Sequence, residues 1–122
     1  AIIESNLVSN NSLTGSGGGG GGIYSASSGT TIASNSVVAN TSSAHAIDLT
    51  SNSGATISFT GPLDIDTTTG TGFRASGGGT VNVASGGSTT VDTTISTAVS
   101  IDGVTIGSQG VTFDSIGSGS AA

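Results

Sequence analysis

The sequence predicts an all-β chain wound as a parallel β-helix, and three observations carry that prediction. The first is composition. Of 122 residues, 22 are Gly, 23 Ser and 19 Thr, while Lys and Arg together contribute one. Strong helix formers are therefore scarce. The second is alternation. Apolar and polar residues alternate in Ala55-Thr56-Ile57-Ser58-Phe59, Leu63-Asp64-Ile65-Asp66, Thr80-Val81-Asn82-Val83 and Val111-Thr112-Phe113-Asp114, the pattern of half-buried strands. The third is a repeat of about 25 residues, long enough for three short strands and three turns in each unit.

The repeat is read directly from the chain. Gly22-Ile23-Tyr24-Ser25-Ala26-Ser27-Ser28-Gly29-Thr30 aligns with Gly72-Phe73-Arg74-Ala75-Ser76-Gly77-Gly78-Gly79-Thr80 across two units. Intervening and following units start at Ala46-Ile47-Asp48-Leu49 and Ala98-Val99-Ser100-Ile101. Ile23, Ile47, Phe73 and Val99 therefore recur at a near-constant interval. Upstream, Ser5-Asn6-Leu7-Val8 resembles Ser34-Asn35-Ser36-Val37 at a slightly longer interval. Gly and Ser clusters separate the runs as turns. The unit that starts at Ile47 contains the apolar pairs Ile47/Leu49, Ile57/Phe59 and Leu63/Ile65.

The predicted solenoid is a single domain, residues 1–122, of roughly four to five right-handed coils, each coil completing the core of its neighbours. Like residues then stack as inward columns. The predicted columns are Ile23/Ile47/Phe73/Val99 and Leu49/Ala75/Ile101, with Ile57, Val81, Val83, Ile106, Leu63, Ile65, Val91, Val111 and Phe113 lining the other faces. A mean hydropathy of +0.24 and the alternating runs argue against a disordered low-complexity chain. A β-sandwich would need longer strands and bulkier residues than four aromatics provide.

Several stretches resemble a known group of proteins. Thr67-Thr68-Thr69-Gly70-Thr71-Gly72-Phe73-Arg74-Ala75-Ser76-Gly77-Gly78-Gly79-Thr80-Val81-Asn82-Val83 resembles repeats of large secreted bacterial surface proteins, the autotransporter passenger domains and β-strand-repeat adhesins. So do Val104-Thr105-Ile106-Gly107 and Gly110-Val111-Thr112-Phe113-Asp114-Ser115-Ile116, and Gly19-Gly20-Gly21-Gly22-Ile23-Tyr24-Ser25 resembles turns common in that group. The resemblance implies a right-handed β-helix at a cell surface and no particular activity.

Composition also excludes function classes. One basic residue, Arg74, cannot neutralise a run of phosphates, so nucleic acid is not an expected partner. No apolar run approaches the ~18–20 residues of a membrane helix. The lack of Cys removes thiolate metal sites and disulfides. The run Gly17–Gly22, within a Gly-rich loop at residues 15–22, lacks the Lys and the helix of a phosphate loop and is expected to be a loop or corner. Asn10-Asn11-Ser12 and Asn40-Thr41-Ser42 match the glycosylation acceptor pattern, which a chain this rich in Asn, Ser and Thr meets by chance.

The carboxylates are the candidates for chemistry. Asp66 and Asp92 are one repeat apart. Asp114 follows Phe113 as Asp66 follows Ile65, and Asp64 shares the face of Asp66. Asp66, Asp92 and Asp114 would form an outward acidic column with Asp64 beside it, the four making a weak calcium site at most, because no dense Asp/Asn/Gly calcium loop is present. Solvated surface acids are the favoured reading, with no cofactor. Arg74 stands one repeat after Asp48, which predicts an exposed inter-coil ion pair. His45 is expected to be a bystander in a turn. Carboxylates without a base-and-cation cluster do not make a β-helix lyase or hydrolase, so no enzyme is expected.

The Thr residues cluster at 67–69, 89–90 and 93–94 instead of repeating once per coil, which disfavours ice binding. The chain opens on apolar Ala1-Ile2-Ile3 and closes on Gly117-Ser118-Gly119-Ser120-Ala121-Ala122, with no polar cap. Solenoids need caps, so the expectation is a segment of a longer β-helix, or a subunit stacking end to end on copies of itself. The expected function is structural: an extracellular adhesin shaft or filament subunit, with a glycan or host surface as an outside partner. A glycan-binding or polysaccharide-degrading module is the alternative.

Overall fold

Parallel strands need a long return path between them. Here two further strands supply that path, and no helix is required. The computed structural model describes residues 2–4, 7–9, 23–26, 31–33, 36–38, 45–84 and 87–119, and none of them is helical. In chain order the strands are β1 (Ile2–Glu4), β2 (Leu7–Ser9), β3 (Ile23–Ala26), β4 (Thr31–Ala33), β5 (Ser36–Val38), β6 (Ile47–Thr50), β7 (Thr56–Phe59), β8 (Leu63–Thr67), β9 (Phe73–Ser76), β10 (Thr80–Val83), β11 (Thr89–Thr93), β12 (Val99–Asp102), β13 (Thr105–Val111) and β14 (Ser115–Ser118). Among the described residues no helix is long and apolar enough to cross a membrane.

The strands pair in parallel, each with the third strand after it. One sheet runs β1-β4-β7-β10-β13, a second β3-β6-β9-β12 and a third β8-β11-β14, with β2 paired to β5 and β5 lying against β8. From β6 onward, nine strands form three parallel sheets. Backbone hydrogen bonds continue through the corners between sheets, as in Gly72 N–H to Thr97 O (3.1 Å), Thr80 N–H to Ala55 O (2.8 Å) and Thr94 N–H to Thr67 O (2.9 Å). The arrangement is all-β and solenoid-like.

This pairing brings residues one repeat apart into direct register. Ile23, Ile47, Phe73 and Val99 occupy one column. Ile57, Val81 and Ile106 form another, and Ile65, Val91 and Ile116 a third. Ile47, Phe73, Ile57, Ile65 and Val91 are fully buried. The aromatic rings meet across the core. Phe59 meets Phe73 edge-to-face at 5.7 Å, and Phe73 meets Phe113 at 5.5 Å.

Two predicted core positions are corrected. Ile101 pairs with Ala75 and Ile106 with Val81, yet they are 39% and 47% exposed. Each sits on the last strand of its sheet among the described residues, so no further strand covers it. Val99 is only half-buried for the same reason. Ile116 tops the third column at 56% exposure.

The corners repeat as the strands do. Ser51, Gly77 and Gly103, each directly after its strand, have φ of 57°, 73° and 64°. The same left-handed corner therefore recurs once per repeat, a conformation that glycine adopts without a steric penalty from Cβ and serine does not. On the corners after β8 and β11, the buried hydroxyls of Thr67 and Thr93 donate to Gly70 O (2.7 Å) and Ser96 O (2.6 Å). Strand β13 departs from regularity. Between the pairs Val81/Ile106 and Val83/Val111, one residue of β10 faces the longer run Gly107 to Gly110, a bulge. The buried Asn82 carboxamide anchors it, accepting the Gln109 N–H (3.1 Å) and donating to Ser58 Oγ (3.2 Å).

The column positions predict unequal costs for similar truncations. Phe73→Ala, at the crossing point of both aromatic contacts, is expected to cost about 3–5 kcal/mol. Ile116→Ala, at the uncovered top of its column, is expected to cost less than about 1 kcal/mol. Urea unfolding of the two variants followed by circular dichroism checks the contrast.

Candidate functional site

Two groups of polar side chains stand on the outer faces, and a third feature is the uncovered edge at β12–β14. The acidic group lies on β8 and β11. Asp66 pairs in register with Asp92, and Asp64 with Thr90. Alternation turns Leu63, Ile65 and Thr67 inward and leaves Asp64 and Asp66 facing outward. The Thr90 hydroxyl donates to Asp64 Oδ1 at 2.8 Å. Burial, then the charges of Asp64 and Asp92, push the Asp66 carboxyl above its ordinary value. Like charges stacked one strand apart disfavour the ionised form.

Asp114 does not join this column, which corrects the sequence reading. The residue opposite Asp92 is Gly117, and a Cβ there would overlap the Asp92 carboxylate. Asp114 instead accepts the Thr89 N–H through Oδ2 at 2.7 Å. The reason is that Phe113 belongs to the corner before β14, and Ile116 is the residue that pairs with Val91. Among the described residues, no three His, Cys, Asp or Glu side chains gather to hold a metal ion.

The second group is built from β6, β9 and the residue preceding Ala46. Register sets Asp48, Arg74 and Ser100 in one column on the outer face. Arg74 Nη1 lies 3.7 Å from Asp48 Oδ2 and 3.1 Å from His45 Nε2. Asp48 Oδ1 accepts the Thr50 hydroxyl at 2.6 Å. Two expectations change. The Asp48 carboxylate is 4% exposed against 38% for Arg74, so the pair is half-sheltered and not an exposed one. His45 is a partner of Arg74 and not a bystander. Its position in the turn before β6 brings the imidazole to the guanidinium of the next layer, a reach that strand alternation does not encode.

Sequence reasoning missed two further features. Thr56, Thr80 and Thr105 stand in register on one sheet. They form a single Thr column, flanked two positions on by Ser58 and Asn82 and so without a second Thr file. The other feature is the Thr67/Thr93 clasp, whose signal is a Thr recurring one repeat later with its acceptor three positions on. At the uncovered edge, an open concavity of about 840 Å³ is lined by Ile95, Ala98, Val99, Ile116 and Gly119 among others. The Gly-rich run 15–22 and the acceptor patterns at Asn10 and Asn40 lie outside the described residues. Comparison with protein-family models, curated proteins and solved structures returns no match.

The raised Asp66 carboxyl has a signed consequence for stability. The folded chain holds the Asp66 proton more tightly than the unfolded chain does. Its contribution is therefore greatest below the ordinary value of 3.8 and declines as pH rises through the raised folded value. Asp66→Asn is expected to melt at a higher temperature than wild type near neutral pH, the gap closing toward about pH 3.5. Thermal melts of both proteins across that range measure it.

Proposed function

We propose that this chain is a segment of a structural shaft: a right-handed parallel β-helix that forms part of an extracellular, cell-surface adhesin or filament. The observation that carries the reading is the pairing of each strand with the third strand after it, ending on three strands whose outer edges and isoleucines are uncovered among the described residues. Parallel pairing of this kind is indefinitely extendable. The edge of β12–β14, with Ile101, Ile106 and Ile116, is the seat of a further layer. That layer comes from flanking repeats of the same polypeptide or from a second copy stacked end to end. A rod of this construction needs no disulfide, because its stiffness resides in continuous backbone ladders. A net charge of −6 keeps such a surface soluble. The acidic residues are surface groups on the shaft, with no catalytic role. The resemblance of residues 67–83, 104–107 and 110–116 to bacterial surface repeats supports the extracellular location.

Duplicating one unit tests this reading. A second copy of residues 72–97 inserted after Thr97 adds one full period to all three sheets. The expected product folds cooperatively, lengthens by one strand spacing of about 4.8 Å in small-angle scattering, and has an m-value in urea raised by roughly a fifth. A product that unfolds, or whose inserted unit is digested by protease while the rest is spared, overturns the shaft.

A further inference from the structure

His45 is the single histidine of the chain and Arg74 its single basic residue, and the two are in contact. A guanidinium only donates hydrogen bonds. The 3.1 Å contact between Arg74 Nη1 and His45 Nε2 therefore requires a lone pair on Nε2. In a neutral imidazole the proton then resides on Nδ1. That nitrogen is buried and has no hydrogen-bond partner among the described residues. Asp48, held by the Thr50 hydroxyl, lies 3.7 Å from the same Arg74 Nη1. We infer that His45, Arg74 and Asp48 form a proton-gated latch across β6 and β9, closed while His45 Nε2 is unprotonated and opened when that nitrogen takes a proton.

The chemistry of opening follows from the donor count. Once protonated, both imidazole nitrogens donate and neither accepts, so the Arg74–His45 hydrogen bond has no acceptor. The imidazolium then faces the Arg74 guanidinium in a half-sheltered site, where repulsion between like charges is stronger than in bulk water. Among the described residues, few other groups face the trio. Tyr24 of β3 occupies the register position before Asp48. Ser100 of β12, which is uncharged, occupies the position after Arg74. Asp102 pairs with Ser76, two positions further along β9. The chain has no second Lys or Arg to replace Arg74. The guanidinium is already 38% exposed and swings to solvent. The inward residues of the same strands, Ile47, Leu49, Phe73 and Ala75, stay buried, so opening is confined to the outer face and is reversible.

Nitrogen-15 NMR of the full chain tests the latch, and the single His and single Arg make the side-chain signals unambiguous. The expected result at about pH 8 is an Nδ1–H tautomer of His45 with slowly exchanging Arg74 guanidinium protons. On acidification until the ring nitrogens report that His45 is protonated, both signatures disappear together. In His45→Gln, whose amide oxygen accepts at every pH, the Arg74 signal should not change over that range. An Nε2–H tautomer at pH 8 overturns the proposal. So does an Arg74 signal indifferent to the His45 titration, or one that titrates unchanged in His45→Gln.

Discussion

Each described strand has its hydrogen-bond partner one repeat away, running in the same direction and, the bulge of β13 apart, in register. That constraint governs the rest of the structure. A residue's neighbours above and below are determined by the period, and its inward or outward direction by alternation along the strand. Apolar residues therefore stack on apolar residues, and Ile47, Phe73 and Val99 share a column because one period separates each from the next. Corners obey the same rule, which is why a left-handed residue recurs at Ser51, Gly77 and Gly103.

Stacking like on like is favourable for hydrocarbon and unfavourable for charge, and the outer faces meet this in different ways. On β8 and β11 the repeat puts Asp66 against Asp92, and Asp66 responds by holding its proton more tightly. The next position in that column is Gly117, which brings no third carboxylate. On β6 and β9 the repeat is broken, so that Asp48 faces Arg74. The sheltered carboxylate is satisfied by a cation and a hydroxyl. Inside the corners, Thr67 and Thr93 turn their hydroxyls to the carbonyls three positions on, so these two buried oxygens are not left without partners.

Much of the architecture is legible in the sequence. The scarcity of helix formers and the period-two runs specify strands, and the recurrence of Ile23, Ile47, Phe73 and Val99 is the register that β3, β6, β9 and β12 adopt. The errors are equally specific. Matching Asp114 to Asp66 by their apolar neighbours failed because Phe113 packs its ring on Phe73 from within a corner, and the strand starts only at Ser115. Placing Ile101 and Ile106 in the core failed because burial of a column's top member depends on a layer that these strands do not have above them among the described residues.

Local chemistry and periodicity thus determine which residues form strands, which way they point and which repeat they belong to. These properties depend on near neighbours in the chain or on one constant offset. The three-dimensional winding decided what depends on an edge or on a side chain reaching across the period. It exposed Ile101, Ile106 and Ile116 at the ends of their columns and closed Asn82 under the β13 bulge. It also brought His45 to Arg74, a contact that follows neither alternation nor the repeat, because a long side chain spans the gap between a turn and a strand one layer on.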